Sequence, residues 1–168
     1  MHPQQMVTRR GEAGFTAAEI LVVLTIVGIL AAIAIPSMSQ MLAAQAVRNA
    51  AYDLNADLTY ARSEAISRGT NVALRATSGA DFKQGWSIVE LAGNTTLRTQ
   101  GSRSADLVFR GSGNGFTFDR TGRLAVGSPA SWGIRPTTTA SSQAYMKRCI
   151  MLDPSGRPRT QEGTSCGY

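Results

Sequence analysis

The stretch GFTAAEILVVLTIVGILAAIAIP, residues 14–36, decides the fold of the N-terminal part of this chain. From Ile20 to Ile35 it has sixteen residues without a charged side chain. Counted from Phe15, the apolar run has 21 residues before Pro36, and about 20 helical residues are enough to cross the hydrocarbon core of a bilayer. The run therefore predicts a membrane-spanning helix over residues 15–36.

One carboxylate, Glu19, interrupts this apolar run four residues after Phe15. A charged side chain inside a bilayer costs about 3 kcal/mol or more unless it finds a partner, so Glu19 is a candidate functional residue. The alternative is that Glu19, close to the helix end, only extends its carboxylate to the membrane interface.

A short basic leader, residues 1–14, precedes the apolar helix. In a secretory signal peptide the cleavage site follows the apolar stretch, whereas here the basic pair Arg9–Arg10 and the small residue Gly14 come before it. Cleavage after Gly14 would keep the helix in the mature chain. The basic pair also predicts a cytoplasmic leader and an exported C-terminal domain by the positive-inside rule.

The junction GFTAAEI resembles the GFTLIEL signature of type IV prepilins and type II secretion pseudopilins, with Ala17–Ala18 replacing the usual Leu-Ile pair. By this resemblance a prepilin peptidase cuts after Gly14 and methylates the new N-terminus, Phe15. Glu19 would then pair with the N-terminal amine of a neighbouring subunit. The resemblance implies a bacterial inner-membrane protein, single-pass with a periplasmic C-terminal domain, that joins other pilin subunits in a pilus at the cell surface.

Helix-forming residues continue past Pro36, which removes one helical hydrogen bond and bends the axis. An apolar stripe at spacings of three to five residues predicts an amphipathic helix over 37–69. The stripe consists of Leu42, Val47, Ala50, Leu54, Leu58, Ala61 and Ala65. The opposite face carries Arg48, Asp53, Asn55, Arg62 and Ser63. Gly69 is expected to end the helix.

After Gly69 the pattern changes to short β-strands and turns. Strands are predicted at 71–76, 85–91, 95–100 and 106–111, with a hairpin over 115–126 and two strands joined by a D-P-S-G turn within 145–160. Residues 127–144, rich in Ser, Thr, Pro and Ala, predict a long loop around a short W-G-I core.

The predicted fold class is therefore α+β. A long N-terminal α-helix, transmembrane in its first half, packs on a C-terminal antiparallel β-sheet domain, as in the type IV pilin fold. The expected segments are the leader 1–14, the transmembrane and assembly half of the helix 15–36, its amphipathic half 37–69, and a β-rich globular domain 70–168.

The chain has two cysteines, Cys149 and Cys166, both in the part expected to be exported. An even pair in an oxidising compartment predicts a disulfide, which would contribute about 3 kcal/mol for a loop of this length. The only histidine, His2, lies in the leader, so no metal site is expected. We find no catalytic constellation and no phosphate-binding glycine loop, and we expect neither a cofactor nor enzymatic activity.

The charge of the chain is uneven. Residues 98–168 carry ten basic and four acidic side chains, a net charge of +6, whereas residues 15–97 carry five basic and six acidic side chains, a net charge of −1. Such an asymmetry suggests a polyanionic partner. A basic surface that serves only solubility is the alternative.

Three later segments resemble the FimT/GspH group of minor pilins and pseudopilins: the helix end YARSEAISRG, the F-x-x-x-G-R hairpin from Phe118 to Arg123, and CIMLDPSGRPR near the C-terminus. Members of this group lie at or near a filament tip and help to start assembly. FimT-type proteins of naturally transformable bacteria bind DNA through a G-R-x-R motif, which matches Gly156-Arg157-Pro158-Arg159 here.

Arginines two residues apart on an extended segment, such as Arg157 and Arg159, lie on the same side of the backbone. Guanidinium groups bind phosphate oxygens through paired donors, and Lys147 and Arg148 on the preceding strand would widen the patch. Pro158 favours an edge strand. Binding to the DNA phosphate backbone would be independent of sequence. The alternative is a turn with solvated arginines that blocks pairing at a sheet edge.

Three functions therefore remain open from the sequence: a minor pilin that captures DNA for natural transformation, a structural minor pilin that primes assembly, and a type II secretion pseudopilin. Substitution of Arg157 and Arg159 distinguishes the first from the second. Trp86 and Trp132 are expected to be core or loop anchors, with stacking on DNA bases as the alternative for both.

Overall fold

The structure is a computed structural model of the chain, and it describes residues 15–79, 81–103, 106–111, 115–125, 131–137, 146–163 and 166. The predicted leader, including Gly14, lies outside the described residues. The chain divides into two compact units, Met1–Met38 and Ser39–Tyr168. Helix α1, Ala17–Arg68, begins in the first unit and ends in the second.

The part of α1 in the first unit has no buried side chain among its described residues. Helix α1 is the one helix in the described chain that is long and apolar enough to cross a membrane. The helix continues through Pro36, as the sequence predicts. This apolar segment is compatible with single-pass anchoring in the inner membrane.

The part of α1 in the second unit buries one face. Its buried residues are Ala44, Val47, Ala50, Ala51, Leu54, Asp57, Leu58, Ala61 and Ala65. The predicted stripe is confirmed from Val47 onward, whereas Leu42 is exposed. Gly69 ends the helix with a positive φ of 64°, and the N–H of Thr70 donates to the Ala65 carbonyl at 3.3 Å, as in the Schellman motif.

In the residues that the structure describes, eight strands follow the helix: β1 (Val72–Ala76), β2 (Trp86–Glu90), β3 (Thr95–Gln100), β4 (Leu107–Gly111), β5 (Gly115–Phe118), β6 (Ser131–Pro136), β7 (Arg148–Leu152) and β8 (Pro158–Glu162). They form two four-stranded sheets whose strand orders are β3-β2-β1-β5 and β4-β6-β7-β8. All of their strand pairs are antiparallel. The α+β prediction is confirmed, with two sheets forming the β-domain.

Strand β6 is where the sequence prediction is wrong, because it lies inside the segment 127–144 for which we expected a long loop. The strand pairs with β4 on one side and β7 on the other, so it is internal to its sheet. Trp132 and Ile134 point into the core and are buried. The Ser, Thr and Pro residues around this six-residue strand hid its signal. In the predicted hairpin over 115–126, whose last residue lies outside the described ones, the return arm pairs through a bridge between Phe118 and Leu124.

Aromatic side chains fill the core between the helix and the two sheets. The ring of Phe82 lies 4.2 Å from that of Trp132 and 6.1 Å from that of Trp86, measured between centroids. Both tryptophans are buried, at 0% and 2% exposure. The prediction that they anchor the core is confirmed, and their burial removes them as platforms for base stacking.

Candidate nucleic-acid interface

The turn between β7 and β8, Asp153 to Arg157, carries the predicted G-R-x-R motif. The N–H of Gly156 donates to the Asp153 carbonyl at 2.8 Å, and the N–H of Asp153 donates to the Arg157 carbonyl at 3.3 Å. Gly156 has a φ of +79°, which favours glycine. This is a type I turn followed by a glycine bulge, a common three-residue hairpin loop.

The Asp153 carboxylate stabilises this turn from within. Its Oδ1 accepts a hydrogen bond from the Ser155 hydroxyl and one from the N–H of Arg157 at 3.0 Å. The Ser155 hydroxyl bond is the largest cause that lowers the pKa of Asp153 below its ordinary value. The carboxylate is therefore ionised at neutral pH and holds the turn through two hydrogen bonds.

Arg157, at the end of this turn, and Arg159, two residues later, are both exposed to solvent. Strand β8 is an edge strand, as predicted, and Pro158 begins it. Arg159 lies opposite Met151, between the buried register positions of Ile150 and Leu152, so it occupies the sheet face turned away from the core. Neither arginine has a carboxylate within 4.0 Å in the part of the chain that the structure describes.

The structure does not bring Arg148 and Lys147 next to these arginines. Arg148 lies opposite Glu162, four register positions from the turn. It is only 8% exposed, and its guanidinium donates to Glu162 Oε1 at 2.7 Å and to the Lys147 carbonyl at 2.9 Å. Lys147 is half-buried. The arginine of this pair therefore holds β7 to β8 and does not widen the patch.

The predicted disulfide between Cys149 and Cys166 is present, with the two Cα atoms 5.3 Å apart. Both cysteines are buried. Cys149 lies in β7 and pairs in register with Gln161 of β8. The bond therefore ties the chain beyond β8 back to the strand that precedes the turn.

A second turn, Asp119 to Arg123, lies in the hairpin predicted over residues 115–126 and has the same construction as the first turn, a likeness that we did not predict. In this turn, the N–H of Gly122 donates to the Asp119 carbonyl at 2.8 Å. Asp119 Oδ1 accepts from the Thr121 hydroxyl at 2.7 Å and from the N–H of Arg123 at 3.0 Å. The Thr121 hydroxyl bond is the largest cause that lowers the pKa of Asp119. The signal was available, because D-R-T-G-R and D-P-S-G-R share the pattern D-x-[S/T]-G-R.

The two turns touch each other through their glycines. A Cβ added to Gly156 would lie 2.1 Å from the carbonyl oxygen of Gly122. The same oxygen accepts a hydrogen bond from Arg62 Nε of the helix at 2.9 Å, and Gly122 itself packs against Ile66. The last turns of α1 therefore support both loops, and only glycine fits at the contact.

Other arginines of the basic C-terminal half hold the fold together. Arg98 donates to Asp57 Oδ1 at 2.9 Å, and the indole N–H of Trp86 donates to Asp57 Oδ2 at 2.8 Å. Asp57 is 1% exposed. Arg103 donates to Asp53 at 2.8 Å and lies over the Trp86 ring, 4.7 Å from its centroid. Part of the positive charge of the C-terminal half therefore serves to attach the first sheet to the helix.

At the other end of the chain, Glu19 caps its own helix. Its Oε2 accepts hydrogen bonds from the N–H and the hydroxyl of Thr16, both at 2.9 Å. The N–H of Glu19 donates back to the Thr16 hydroxyl oxygen at 3.3 Å, which completes a capping box. Phe15 is 84% exposed. Both hydrogen bonds from Thr16 end on Oε2, so Oε1 of Glu19 takes no part in the capping box.

Comparison with known proteins places the fold. The family model of the type II transport protein GspH matches residues 50–156, more than half of the chain. The type IV minor pilin FimU of Pseudomonas aeruginosa is 27% identical, with 73% of this chain and 95% of that chain covered and a TM-score of 0.61. No curated protein sequence matches the chain.

The minor pseudopilin EpsH of the Vibrio cholerae type 2 secretion system is 13% identical, with 69% of this chain and 96% of that chain covered and a TM-score of 0.53. At this identity the likeness shows the fold alone.

The family match ends at Gly156, so Arg157 and Arg159 lie just beyond it. Pilins and pseudopilins are structural proteins. The chain belongs to the GspH family of minor pilins and pseudopilins.

Proposed function

We propose that this minor pilin binds DNA without sequence specificity through Arg157 and Arg159, for DNA uptake in natural transformation. One observation carries the proposal: Arg157 on the hydrogen-bonded turn and Arg159 on edge strand β8 are both exposed and have no carboxylate within 4.0 Å among the described residues. Guanidinium groups in this state are ready to bind phosphate oxygens through paired N–H donors.

The mode of binding follows from the same surface. The two arginines lie on strand and turn, not on a helix that would enter the major groove, so the phosphate backbone is the expected target. The two phosphate contacts of Arg157 and Arg159 should contribute about −1.8 to the slope of the logarithm of the association constant against the logarithm of salt concentration. Non-specific binding of this kind has a dissociation constant of about 1 μM or weaker.

The test is a titration of duplex DNA against the purified second unit, Ser39–Tyr168, at about 50 mM and about 200 mM salt. Arg157→Gln combined with Arg159→Gln is expected to weaken binding and to reduce the magnitude of the salt slope by about 1.8. The matched control is Arg75→Gln with Arg110→Gln, which removes the same charge from two exposed positions on β1 and β4. If the control loses as much affinity as the turn variant, binding reflects net charge alone and the proposal is wrong.

In cells the same pair of substitutions separates the competing functions. Loss of transformation with normal piliation supports DNA capture. Loss of piliation favours a structural minor pilin that primes assembly. A secretion defect favours a type II secretion pseudopilin, a candidate that the match to the GspH family model keeps open.

We also propose the membrane and assembly steps of a prepilin for the N-terminal segment. A prepilin peptidase cuts after Gly14, Phe15 becomes the methylated N-terminus, and the helix stays in the inner membrane with the β-domain in the periplasm until assembly. Glu19 then binds the N-terminal amine of a neighbouring subunit. The capping box supports this role, because Thr16 remains in the cleaved chain and orients the carboxylate.

Glu19→Gln tests this step, since glutamine keeps the cap but loses the charge. We expect cleavage to proceed and incorporation into filaments to fall sharply, measured by immunoblots of sheared filaments against the membrane fraction. Normal incorporation of the variant would contradict the role of the charge.

A further inference from the structure

We infer that the second turn, Asp119 to Arg123, belongs to the same DNA-binding surface, so that Arg120 and Arg123 contact the phosphate backbone together with Arg157 and Arg159. This inference rests on the proposed function and extends it from one turn to two. We call the two loops, Asp119–Arg123 and Asp153–Arg157 with Arg159, the paired turns.

The spacing of the paired turns supports a single surface. The Gly122 carbonyl and Gly156 are in direct contact, and each glycine is followed at once by an arginine. Standard backbone dimensions then place the Cα atoms of Arg123 and Arg157 at most about 11 Å apart. Duplex DNA carries one phosphate charge per about 1.7 Å of its axis, so a surface of this width faces several phosphates.

The charge of the paired turns is also suited to a polyanion. Arg120 and Arg123 are exposed, and no ion pair of the described chain includes them. The four arginines outnumber Asp119 and Asp153, which leaves a net charge of +2.

The two carboxylates of the paired turns are used inside their own loops. Each Oδ1 accepts from a turn hydroxyl and from the N–H of the arginine after the glycine. Their negative charge is thereby partly offset by backbone donors. The paired turns therefore present their arginines on backbones that are already ordered, which lowers the entropy cost of binding.

The support beneath the paired turns comes from the helix. Arg62 Nε donates to the Gly122 carbonyl at 2.9 Å and lies 3.3 Å from where a Gly156 Cβ would be. Arg62 is half-buried, and we assign it a positioning role. One loop extends the first sheet and the other joins two strands of the second sheet, so the surface forms only when both sheets are docked.

The experiment uses the full chain purified in detergent, with a short labelled duplex DNA as the probe. Salt dependence is measured for the wild type, Arg120→Gln with Arg123→Gln, Arg157→Gln with Arg159→Gln, all four together, and the control Arg75→Gln with Arg110→Gln. With four phosphate contacts the wild-type slope is expected near −3.6, and each pair of turn substitutions should reduce it to about −1.8. Arg120→Gln with Arg123→Gln should also weaken binding by roughly twofold to thirtyfold at low salt.

The outcomes separate the inference from the function on which it rests. If Arg157→Gln with Arg159→Gln loses binding but Arg120→Gln with Arg123→Gln matches the control, the two-turn surface is wrong and the proposed function stands. If the wild type shows no salt-sensitive binding, both are wrong. Arg120→Lys with Arg123→Lys guards against a folding artefact, because it keeps the charge and should retain a slope near −3.6; a slope near −1.8 would overturn the inference.

Discussion

Arg98 lies in β3 and Arg103 lies just after that strand, and each donates to a carboxylate of the helix. Arg157 and Arg159, at the edge of the second sheet, have no such partner among the described residues. The four residues contribute equally to the basic charge of the C-terminal half. Their surroundings give them different roles, because a buried carboxylate such as Asp57 uses the charge of its arginine to hold the fold. Arg157 and Arg159, which have no carboxylate within 4.0 Å among the described residues, keep their N–H donors available to a ligand.

The largest effect that tests this comparison is expected from Asp57→Ala. The substitution leaves the buried indole N–H of Trp86 without an acceptor and Arg98 without its partner, and breaking such a pair should cost about 3 kcal/mol. Urea unfolding of the second unit, Ser39–Tyr168, measures the loss. A change below about 0.5 kcal/mol, typical of a surface substitution, would contradict the structural role of this pair.

Gly156→Ala should have the next largest effect, because it combines a positive φ with a collision against the Gly122 carbonyl. We expect a loss of about 2 kcal/mol. Gly69→Ala is the matched control, since its φ of +64° is similar but nothing lies within 4 Å of the added Cβ, and it should cost about 1 kcal/mol. Equal losses in the two variants would mean that the contact between the paired turns contributes nothing.

The direct comparison of the two arginine sets gives a smaller difference. Arg98→Gln removes one charged donor from Asp57 and should lower the free energy of unfolding by about 1 kcal/mol. Arg157→Gln removes an exposed, unpaired charge and should leave that free energy unchanged within about 0.5 kcal/mol. An equal loss of stability in Arg157→Gln and Arg98→Gln would contradict the different roles assigned to the two arginines.

Acidification gives the smallest effect and probes the paired turns alone. Hydrogen bonds hold the pKa values of Asp119 and Asp153 below their ordinary value of 3.8. Their stabilising contribution is therefore complete above that value and is lost as the pH falls through the lowered pKa values. Asp119→Asn with Asp153→Asn should make the acid limb of unfolding against pH shallower; an unchanged limb would show that these turns do not contribute to it.

Much of the fold was predictable because its signals are local. The apolar stripe from Val47 to Ala65 and the terminal glycine at position 69 lie within one helix and its cap. The strands beside glycine turns were found for the same reason. Strand β6 was missed because its place in the sheet depends on partners in β4 and β7 that are distant in sequence.

The candidate site was predictable only in part. Gly156, Arg157 and Arg159 stand in a recognisable motif, but the contact between Gly156 and Gly122 joins residues 34 positions apart. Asp57 gave no signal at all, because an aspartate among helix residues looks solvated until Trp86 and Arg98 are brought to it. Arg148 shows the converse, since a basic residue near the motif is occupied by Glu162.

The two tryptophans of the chain give it a built-in optical probe. Trp86 and Trp132 are its only tryptophans, and both lie in the aromatic core, away from water. Their fluorescence emission should shift to longer wavelength when the domain unfolds and stay constant when DNA reaches the paired turns. Folding and binding can then be followed separately in one sample, without a label on the protein.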